Sequence, residues 1–336
     1  MTSAFGSIAI GGTKSSVALG VVAAESVDWR ASVTFPTPPS SAETLDALVA
    51  TLDTALIDNS DVELARIGIV CGGPLDESAG LILSPPNLSH WDRVDVITPF
   101  TDRFDVPARL MNDANAGVLA EWAWGNAKGA ENAIFITMGT GFGAGLILNG
   151  RLHEGASGLA GEIGHWRLAE RGPEGYGKEG SFEGFCSGAG IARWTQETAR
   201  QHLSVESDKA SPHWRDLEHV TAEQLGMLAD AGNPKALEMW SAVGERLGAG
   251  LSLLIDLLSP DVIVIGGIYE RQHHRLEPSM NEKLRRETLP QSLADCSVRP
   301  SALAEEISRY SAMAVAMIDE HTTNAGALIS SAVTSR

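Results

Sequence analysis

Short apolar runs, separated by turns rich in glycine or proline, make up the first part of the chain. Runs that alternate with polar residues or stay apolar predict strands, at residues 7–10, 15–22, 29–35 and 66–71. Between them, leucines recur at helical spacing on one face of a predicted helix at residues 44–57. The turn between the first two strands is Gly11-Gly12-Thr13-Lys14. Strands that alternate with a helix predict an α/β fold.

The second half of the chain begins with the same order of strand, glycine-rich turn and strand. A strand predicted at residues 132–137 is followed by a turn at 138–145 and a second strand at 146–150. A backbone without side chains lets N–H groups approach an anion closely, although a glycine pair can also serve only as a turn. Two such hairpins are more specific than one, and they indicate two similar halves that each present a loop to a polyphosphate.

The rest of the second half alternates between helical and polar segments. Apolar periodicity predicts helices at residues 189–201, 234–258 and 305–318. A strand predicted at residues 261–268 contains Gly266-Gly267 near its end. These glycines either allow the backbone to contact a flat ring or a ribose closely, or make a tight strand-to-helix turn. The polar stretch at residues 204–218 is expected to be irregular, and residues 321–336 are expected to form a frayed tail.

The stretch Asn112-Asp113-Ala114-Asn115 lies between a strand end at residues 109–111 and a helix at 117–122. Asp113 would therefore lie at a helix N-terminus and at the carboxyl end of a strand, where open α/β sheets bind their ligands. A carboxylate at that position can orient a substrate hydroxyl and accept its proton. The alternative is that Asn112 or Asp113 only caps the helix.

Composition narrows the class of protein. A chain of 336 residues, with 43% hydrophobic and 20% charged residues, is long enough for two globular domains. A net charge of −18 disfavours binding to nucleic acid. Three widely spaced cysteines give neither a disulfide framework nor a metal pattern. The first residues lack the features of a signal peptide, and no apolar run is long enough to cross a bilayer, so no membrane role and a cytoplasmic location are expected.

Further candidate residues lie in loops that are rich in proline or glycine. Asn87 and Trp91 share a proline-rich loop, a combination that suits sugar recognition and equally suits an ordinary loop. Glu162 and His165 form a polar pair among glycines, and a single histidine is more often a structural residue than a ligand. Glu183 begins the segment that follows a glycine-rich surface loop.

Together these segments resemble the ROK family of sugar kinases, over nearly the whole chain and in the same order. The shared motifs are Gly11-Gly12-Thr13-Lys14, Gly72-Gly73-Pro74, Asn112-Asp113-Ala114-Asn115, Gly139-Thr140-Gly141-Phe142-Gly143, Gly161-Glu162-Ile163-Gly164-His165 and Gly266-Gly267. The resemblance implies an actin-like ATPase (ribonuclease H-like) fold of two α/β domains that close on a cleft. It implies a small domain at residues 1–112 joined by the C-terminal helix at about 305–320, a larger domain at 113–304 and a flexible tail at 321–336.

The same resemblance implies a function for each matching residue. Asp113 would be the general base that takes the proton of the sugar hydroxyl as it attacks the γ-phosphate of ATP. The positions that match sugar contacts are Gly73, Asn87, Asn112, Glu162, His165 and Glu183. The positions that match nucleotide contacts are Gly12, Thr13, Lys14, Thr140, Gly141 and Gly267. The implied cofactors are ATP and Mg²⁺, the implied partners are a small-molecule sugar and a nucleotide, and the implied assembly is a homodimer.

The chain departs from the family pattern at two places. The family's first loop reads Asp-x-Gly-Gly-Thr, and the position of that aspartate is Ala9 here, which bears on the binding of Mg²⁺. The family's zinc motif has three cysteines, and Glu174, Tyr176 and Ser181 stand at those positions here. A thiolate zinc site needs thiolates, so no structural zinc is expected. Hydrogen bonding and packing of Tyr176 are expected to hold the loop instead.

The resulting expectation is an ATP- and Mg²⁺-dependent kinase of a hexose or N-acetylhexosamine. The alternative is a catalytically weak or inactive sugar-binding sensor of the same fold, because Ala9 replaces the usual aspartate. A repressor of the same family would need an N-terminal helix-turn-helix, and the first predicted strand begins within a few residues of Met1. The identity of the sugar stays open, as does the choice between ATP, another nucleotide and polyphosphate as phosphoryl donor.

Overall fold

The computed structural model describes residues 1–23, 26–88, 90–205 and 212–318. The chain forms two compact units. The first contains residues 1–131, 145–154 and 302 onward, and the second contains residues 132–144 and 155–301. The first unit includes the helix that begins at Asp113. The domain boundaries implied by the resemblance stay a prediction, and the predicted tail at residues 321–336 lies outside the described residues.

A five-stranded sheet in the order β3-β2-β1-β4-β8 organises the first unit. Its strands are β1 (Thr2–Ile10), β2 (Lys14–Ala23), β3 (Ser26–Pro36), β4 (Val62–Cys71) and β8 (Ala108–Asn112). Strand β2 runs antiparallel to both β1 and β3, whereas β4 runs parallel to both β1 and β8. The three parallel strands therefore end at the same edge of the sheet, which brings the ends of β1, β4 and β8 together.

The helices of the first unit cover this sheet. They are α1 (Ser41–Asp58), α2 (Thr98–Phe104), α3 (Asp113–Trp124) and α11 (Ile307–Met317). Between β4 and α2 lie three two-residue strands, β5 (Leu75–Asp76), β6 (Leu81–Ile82) and β7 (Val94–Asp95). Helix α11 packs directly on β4, where a Cβ atom on Gly68 would lie 1.9 Å from the carbonyl oxygen of Ala312. Only glycine leaves room for this contact, since 1.9 Å is far inside van der Waals distance.

The second sheet has the order β11-β10-β9-β14-β15. Its strands are β9 (Ala133–Met138), β10 (Phe142–Leu148), β11 (Arg151–Leu152), β14 (Val262–Gly267) and β15 (Ser297–Pro300). Strand β14 runs parallel to β9 and β15 and is buried along most of its length, which explains its nearly continuous apolar sequence.

The second unit also contains a small hairpin and seven α-helices among its described residues. The hairpin strands are β12 (Glu174–Gly175) and β13 (Lys178–Glu179). The helices are α4 (Phe182–Cys186), α5 (Gly188–Val205), α6 (Pro212–Arg215), α7 (Ala222–Asp230), α8 (Pro234–Leu258), α9 (Ile268–Glu287) and α10 (Pro290–Asp295). Within the described residues, no helix is both long enough and apolar enough to cross a membrane.

The predicted α/β class is confirmed, two local predictions need correction, and one helix was not predicted. The turn predicted at residues 138–145 is shorter, because β10 already begins at Phe142. The stretch at 204–218 is partly helical in its described residues, since α5 runs to Val205 and α6 begins at Pro212. Helix α9 follows directly on β14 and has no counterpart among the predicted helices.

Candidate active site

The turn from β8 into α3 places Asp113 at the first helical position. The side chain of Asn112 caps the helix, because its Oδ1 accepts hydrogen bonds from the backbone N–H groups of Ala114 at 2.9 Å and Asn115 at 3.4 Å. Of the two capping alternatives, the structure therefore favours Asn112. Asp113 is exposed to solvent, and its carboxylate is accessible to a ligand at the carboxyl end of the parallel strands.

A glycine pair follows β4 beside this turn. Cys71, the last residue of β4, is paired with Asn112 across the sheet. A Cβ atom on Gly72 would lie 3.6 Å from Oδ2 of Asp113, and one on Gly73 would lie 3.5 Å from Nδ2 of Asn112. Burial, and then the charge of Asp113, raise the pKa of the Cys71 thiol above its ordinary value. The carboxylate thus faces a backbone segment without side chains, which leaves space for a hydroxyl group.

Glu77 supports the same turn and was not among the predicted site residues. Its Oε1 accepts a hydrogen bond from the backbone N–H of Asn112 at 2.8 Å. Glu77 is half-buried, and burial raises the pKa of its carboxyl group although this hydrogen bond lowers it. The residue before Asp113 is consequently held by its own side chain and by Glu77. The contact spans 35 positions of the chain, so no local sequence signal could have indicated it.

The first glycine turn brings Gly12 against Asn87. The backbone N–H of Gly11 donates to the carbonyl oxygen of Lys14 at 3.1 Å and closes the hairpin between β1 and β2. A Cβ atom on Gly12 would lie 2.4 Å from the carbonyl oxygen of Asn87, so glycine is required there. A pocket of about 180 Å³ opens beside them, with Trp91 and His90 among the residues that line it. The predicted phosphate turn and the predicted sugar contact Asn87 are therefore neighbours, and Thr13 and Lys14 are exposed at the tip of the hairpin.

The second glycine turn joins β9 to β10 in the second unit. The N–H of Gly139 donates to the carbonyl oxygen of Gly141 at 3.1 Å, and the N–H of Gly188 donates to the carbonyl oxygen of Gly139 at 2.8 Å. Thr140 and Gly141 are exposed between these contacts. The tip of the turn therefore offers backbone and a hydroxyl group to solvent, as a phosphate-binding loop must.

Gly267 lies next to this second turn. Its φ of 75° belongs to the left-handed region, and a Cβ atom would lie 2.4 Å from the carbonyl oxygen of Met138. The N–H of Gly267 donates to Oε1 of Glu270 at 2.8 Å, which caps the N-terminus of α9. Glu270 was not predicted, although a glutamate three residues after a helix start is a known capping signal.

Three predicted sugar contacts lie together in the second unit. Glu183 accepts a hydrogen bond at Oε2 from the N–H of Phe142 at 3.2 Å. The pKa of the Glu183 carboxyl group is above its ordinary value, mainly because the group is partly buried. The hydrogen bond from Phe142 and the nearby His165 lower this pKa, whereas the charge of Glu162 raises it. Two carboxylates and an imidazole therefore form one polar group, which can accept hydrogen bonds from vicinal hydroxyls.

The loop at the positions of the family's zinc motif is held by hydrogen bonds and ring packing. Oγ of Ser181 accepts from the N–H of Gly184 at 3.1 Å, and Nζ of Lys178 donates to the carbonyl oxygen of His165 at 2.5 Å. The rings of His165 and Tyr176 meet edge to face with centroids 5.0 Å apart. In the four described ranges, no three His, Cys, Asp or Glu side chains are grouped as metal ligands. The absence of structural zinc stays a prediction.

Curated relatives of the chain include both kinases and repressors. A glucokinase of Halalkalibacterium halodurans is 32% identical over 272 residues, which cover 77% of this chain and 78% of the relative. A glucokinase of Streptomyces coelicolor is 29% identical over 264 residues, 77% of this chain and 80% of the relative. A xylose repressor of Bacillus subtilis is 27% identical over 243 residues, 72% of this chain and 58% of the repressor.

Solved structures share the fold over almost the whole chain. The ROK hexokinase of Thermus thermophilus superposes with a TM-score of 0.73 at 26% identity and covers 93% of this chain and 97% of its own. The ROK glucokinase of Streptomyces griseus, solved with glucose and AMPPNP, gives a TM-score of 0.72 at 24% identity. The match covers 93% of this chain and 99% of that enzyme. The actin-like ATPase fold expected from the motifs is confirmed by these likenesses. The model of the ROK family matches residues 5–317, and the chain belongs to that family.

Proposed function

We propose that this protein is an ATP-dependent kinase that phosphorylates a hydroxyl group of a hexose or N-acetylhexosamine, with Asp113 as the general base. The observation that carries the proposal is the exposed carboxylate of Asp113 at the N-terminus of α3, beside the side-chain-free segment Gly72-Gly73. The glucokinases among the relatives, and the glucose and AMPPNP bound to the Streptomyces griseus enzyme, support the choice of sugar and nucleotide.

The groups that we propose to recognise the sugar are polar. In the first unit these are the backbone of Gly73 and the amide groups of Asn87 and Asn112. Oδ1 of Asn112 already caps α3, so its Nδ2 is the group left to donate to a sugar oxygen. In the second unit Glu162, His165 and Glu183 would accept or donate hydrogen bonds to the remaining hydroxyls. Sites of this kind reject a molecule that lacks the hydroxyl, because their polar groups would then be unpaired.

The nucleotide is assigned to the glycine turns. Gly12, Thr13 and Lys14 in the first unit, and Thr140 and Gly141 in the second, would contact phosphates through backbone N–H groups, hydroxyls and one cation. Gly267, at the carboxyl end of β14 and the start of α9, would lie against the adenosine, as the resemblance to the family implies. These residues align and neutralise the phosphates, which is most of what phosphoryl transfer requires of a protein.

In the proposed reaction, the oxygen of the sugar hydroxyl forms a bond to the γ-phosphorus as the bond from that phosphorus to the bridging oxygen of ADP breaks. The hydroxyl proton passes to a carboxylate oxygen of Asp113. Asn112 and Glu77 hold the turn so that this carboxylate keeps its orientation. The products are a sugar phosphate and ADP, and the proton on Asp113 is then released to water.

Mg²⁺ bound with the nucleotide would neutralise part of the phosphate charge. Proteins usually hold nucleotide-bound Mg²⁺ with one or two carboxylates and several waters, so a cluster of protein ligands is not needed. Ala9 lies in β1 between Ser16 and Val70 of the neighbouring strands and presents a methyl group at the position of the family's aspartate. The chain therefore offers one carboxylate fewer to the hydrated ion than the family pattern does.

Replacement of Ala9 by Asp is expected to lower the half-saturating Mg²⁺ concentration by about tenfold, the lower end of typical outer-shell ligand effects. Ala9→Asn is the matched control, because it adds the same volume without the charge and should leave the Mg²⁺ titration near that of the wild type. The measurement is initial rate against Mg²⁺ at saturating ATP and sugar. Equal titrations for the wild type and Ala9→Asp would contradict this account of the first loop.

The raised pKa of Glu183 predicts an acid limit on sugar binding. The ionised carboxylate is the better acceptor, so kcat/KM for the sugar should fall on the acid side at a pH above the ordinary glutamate value of 4.5. The free energy of unfolding depends on pH in the opposite direction. Because the pKa of Glu183 is higher in the folded than in the unfolded protein, this residue stabilises the fold at low pH, and the contribution is lost as pH rises through the folded pKa. Glu183→Gln should remove the acid limit and lower kcat/KM by about tenfold or more. An unchanged acid limit in this variant would show that another group titrates.

A coupled assay of ADP release over a panel of hexoses and N-acetylhexosamines tests the proposed function. Sugar-dependent ATP turnover is the expected result, and a parallel series with polyphosphate identifies the donor. The second candidate is a sugar-binding sensor, favoured by Ala9 and by the xylose repressors among the relatives. Sugar binding by calorimetry without turnover of ATP or polyphosphate would favour the sensor. The homodimer and the cytoplasmic location stay predictions.

A further inference from the structure

We infer that Thr37 positions the turn Gly11-Gly12-Thr13-Lys14 for the phosphates of the nucleotide. The inference rests on the proposed function and extends it to a residue that no motif of the chain includes. Thr37 directly follows β3 and lies beside the tip of the hairpin, because Lys14 at the start of β2 is paired with Pro36 at the end of β3. It is a positioning residue, since it acts through the turn.

Thr37 contacts the turn on both sides of Gly12. Its Oγ1 donates to the carbonyl oxygen of Gly11 at 2.6 Å, and its backbone N–H donates to the carbonyl oxygen of Thr13 at 3.0 Å. Carbonyl oxygens repel a phosphate, whereas N–H groups attract it. By holding the carbonyls of Gly11 and Thr13 in hydrogen bonds, Thr37 prevents the turn from rotating them toward an anion.

Ser15 fixes the orientation of the Thr37 hydroxyl. The two side-chain oxygens lie 2.9 Å apart, and Ser15 is buried with 1% of its surface exposed. A threonine hydroxyl has one hydrogen, which Thr37 gives to Gly11, so Ser15 is the donor in their shared hydrogen bond. The hydroxyl of Thr37 is therefore satisfied as donor and as acceptor, and it has little freedom to turn away from the hairpin.

Thr37 is itself held by the chain on both sides. Pro36 and Pro38 flank it, and each proline restricts the backbone of its own residue and of the one before it. The hydroxyl oxygen of Thr44 in α1 lies 2.8 Å from the carbonyl oxygen of Ser40 and 3.3 Å from that of Pro38, so the two carbonyls share its hydrogen. The end of β3 and the start of α1 thus form a fixed support, from which Thr37 reaches the tip of the first hairpin.

The test is the affinity of AMPPNP, measured by calorimetry on the full chain in the presence of Mg²⁺. Thr37→Val keeps the shape and the N–H but removes the hydroxyl, and it should weaken the affinity by about tenfold, because the carbonyl of Gly11 and the hydroxyl of Ser15 lose their partner. Thr37→Ser keeps the hydroxyl and should bind within about twofold of the wild type. Thr34→Val, at an exposed threonine in β3, is the matched control and should leave the affinity unchanged.

Hydrogen–deuterium exchange supplies a second readout that does not depend on any ligand. The amides of residues 11–15 should exchange faster in Thr37→Val than in the wild type, Thr37→Ser and Thr34→Val. If Thr37→Val does not fold, Ser15→Ala takes its place, since it removes the contact that orients the hydroxyl. The inference would be overturned if the variant whose residues 11–15 exchange faster bound AMPPNP with wild-type affinity. It would also be overturned if the wild type did not bind AMPPNP. AMPPNP binding with the expected pattern, but no sugar-dependent turnover, would refute the kinase proposal and leave the role of Thr37 in place.

Discussion

Asp113→Asn is expected to lower kcat by roughly 10²- to 10⁴-fold, the usual contribution of a general base. The amide has the same shape as the carboxylate but cannot accept the proton of the attacking hydroxyl. The helix should keep its position, because its cap is the side chain of Asn112 and the N–H of Asn112 is held by Glu77. Sugar affinity should therefore change little, and the loss should appear almost wholly in kcat.

The measurement is steady-state kinetics in the coupled assay together with sugar binding by calorimetry. Asp58→Asn serves as a control, since Asp58 is an exposed aspartate at the end of α1 and far along the chain from the turn. This variant should match the wild type in both kcat and affinity. If Asp113→Asn kept a kcat near that of the wild type, Asp113 would not be the base and the proposed mechanism would be wrong.

Those parts of the site that depend on local chemistry could be predicted from the sequence. The turns at Gly11-Gly12 and Gly139-Thr140-Gly141 were both predicted, because glycines between two strand patterns are a local turn signal. The junction at Asn112 and Asp113 could be located because a strand pattern gives way to a helix pattern at a residue type that caps helices. In both cases the signal lies within a few positions of the feature.

Features that depend on contacts between distant residues could not be predicted in this way. Gly145 was assigned to a turn, yet it lies in β10, where a Cβ atom would lie 2.2 Å from the carbonyl oxygen of Ala114. Glycine is required at position 145 because another segment of the chain approaches it closely, not because the backbone there has an unusual conformation. The contacts of Glu77 with Asn112 and of Thr37 with Gly11 are of the same kind.

Helix α9 was missed for a different reason. Its buried residues form one narrow stripe, which includes Leu276, Met280 and Leu284 at a spacing of four. The rest of its surface is polar, and Pro278 lies inside the helix. An interior proline normally argues against a helix, and it obscured a periodicity that the apolar positions do contain. Helix α9 is nonetheless the helix whose start places Gly267.

Gly161→Ala is expected to lower kcat/KM for the sugar by about 10²-fold, the typical effect of moving a contacting group by about 1 Å. Gly161 has a φ of 94°, and a Cβ atom would lie 1.9 Å from the carbonyl oxygen of Ala144. The two segments are joined by a hydrogen bond from the N–H of Ala144 to the carbonyl oxygen of Gly161 at 3.0 Å. Because backbone would meet backbone, neither side can give way by a rotamer change, and the next residue, Glu162, must move.

Gly158→Ala separates this displacement from backbone strain. Gly158 lies in the same loop with a φ of 73°, but a Cβ atom there would meet no other atom within 4 Å. Both variants should lose about 1–2 kcal/mol from the left-handed conformation of alanine. Only Gly161→Ala should lose more stability than this in thermal unfolding and raise KM for the sugar, because only in this variant is the backbone displaced. If the two variants showed the same KM, the position of Glu162 would not depend on the contact between Gly161 and Ala144, and its assignment to the sugar would lose its structural support.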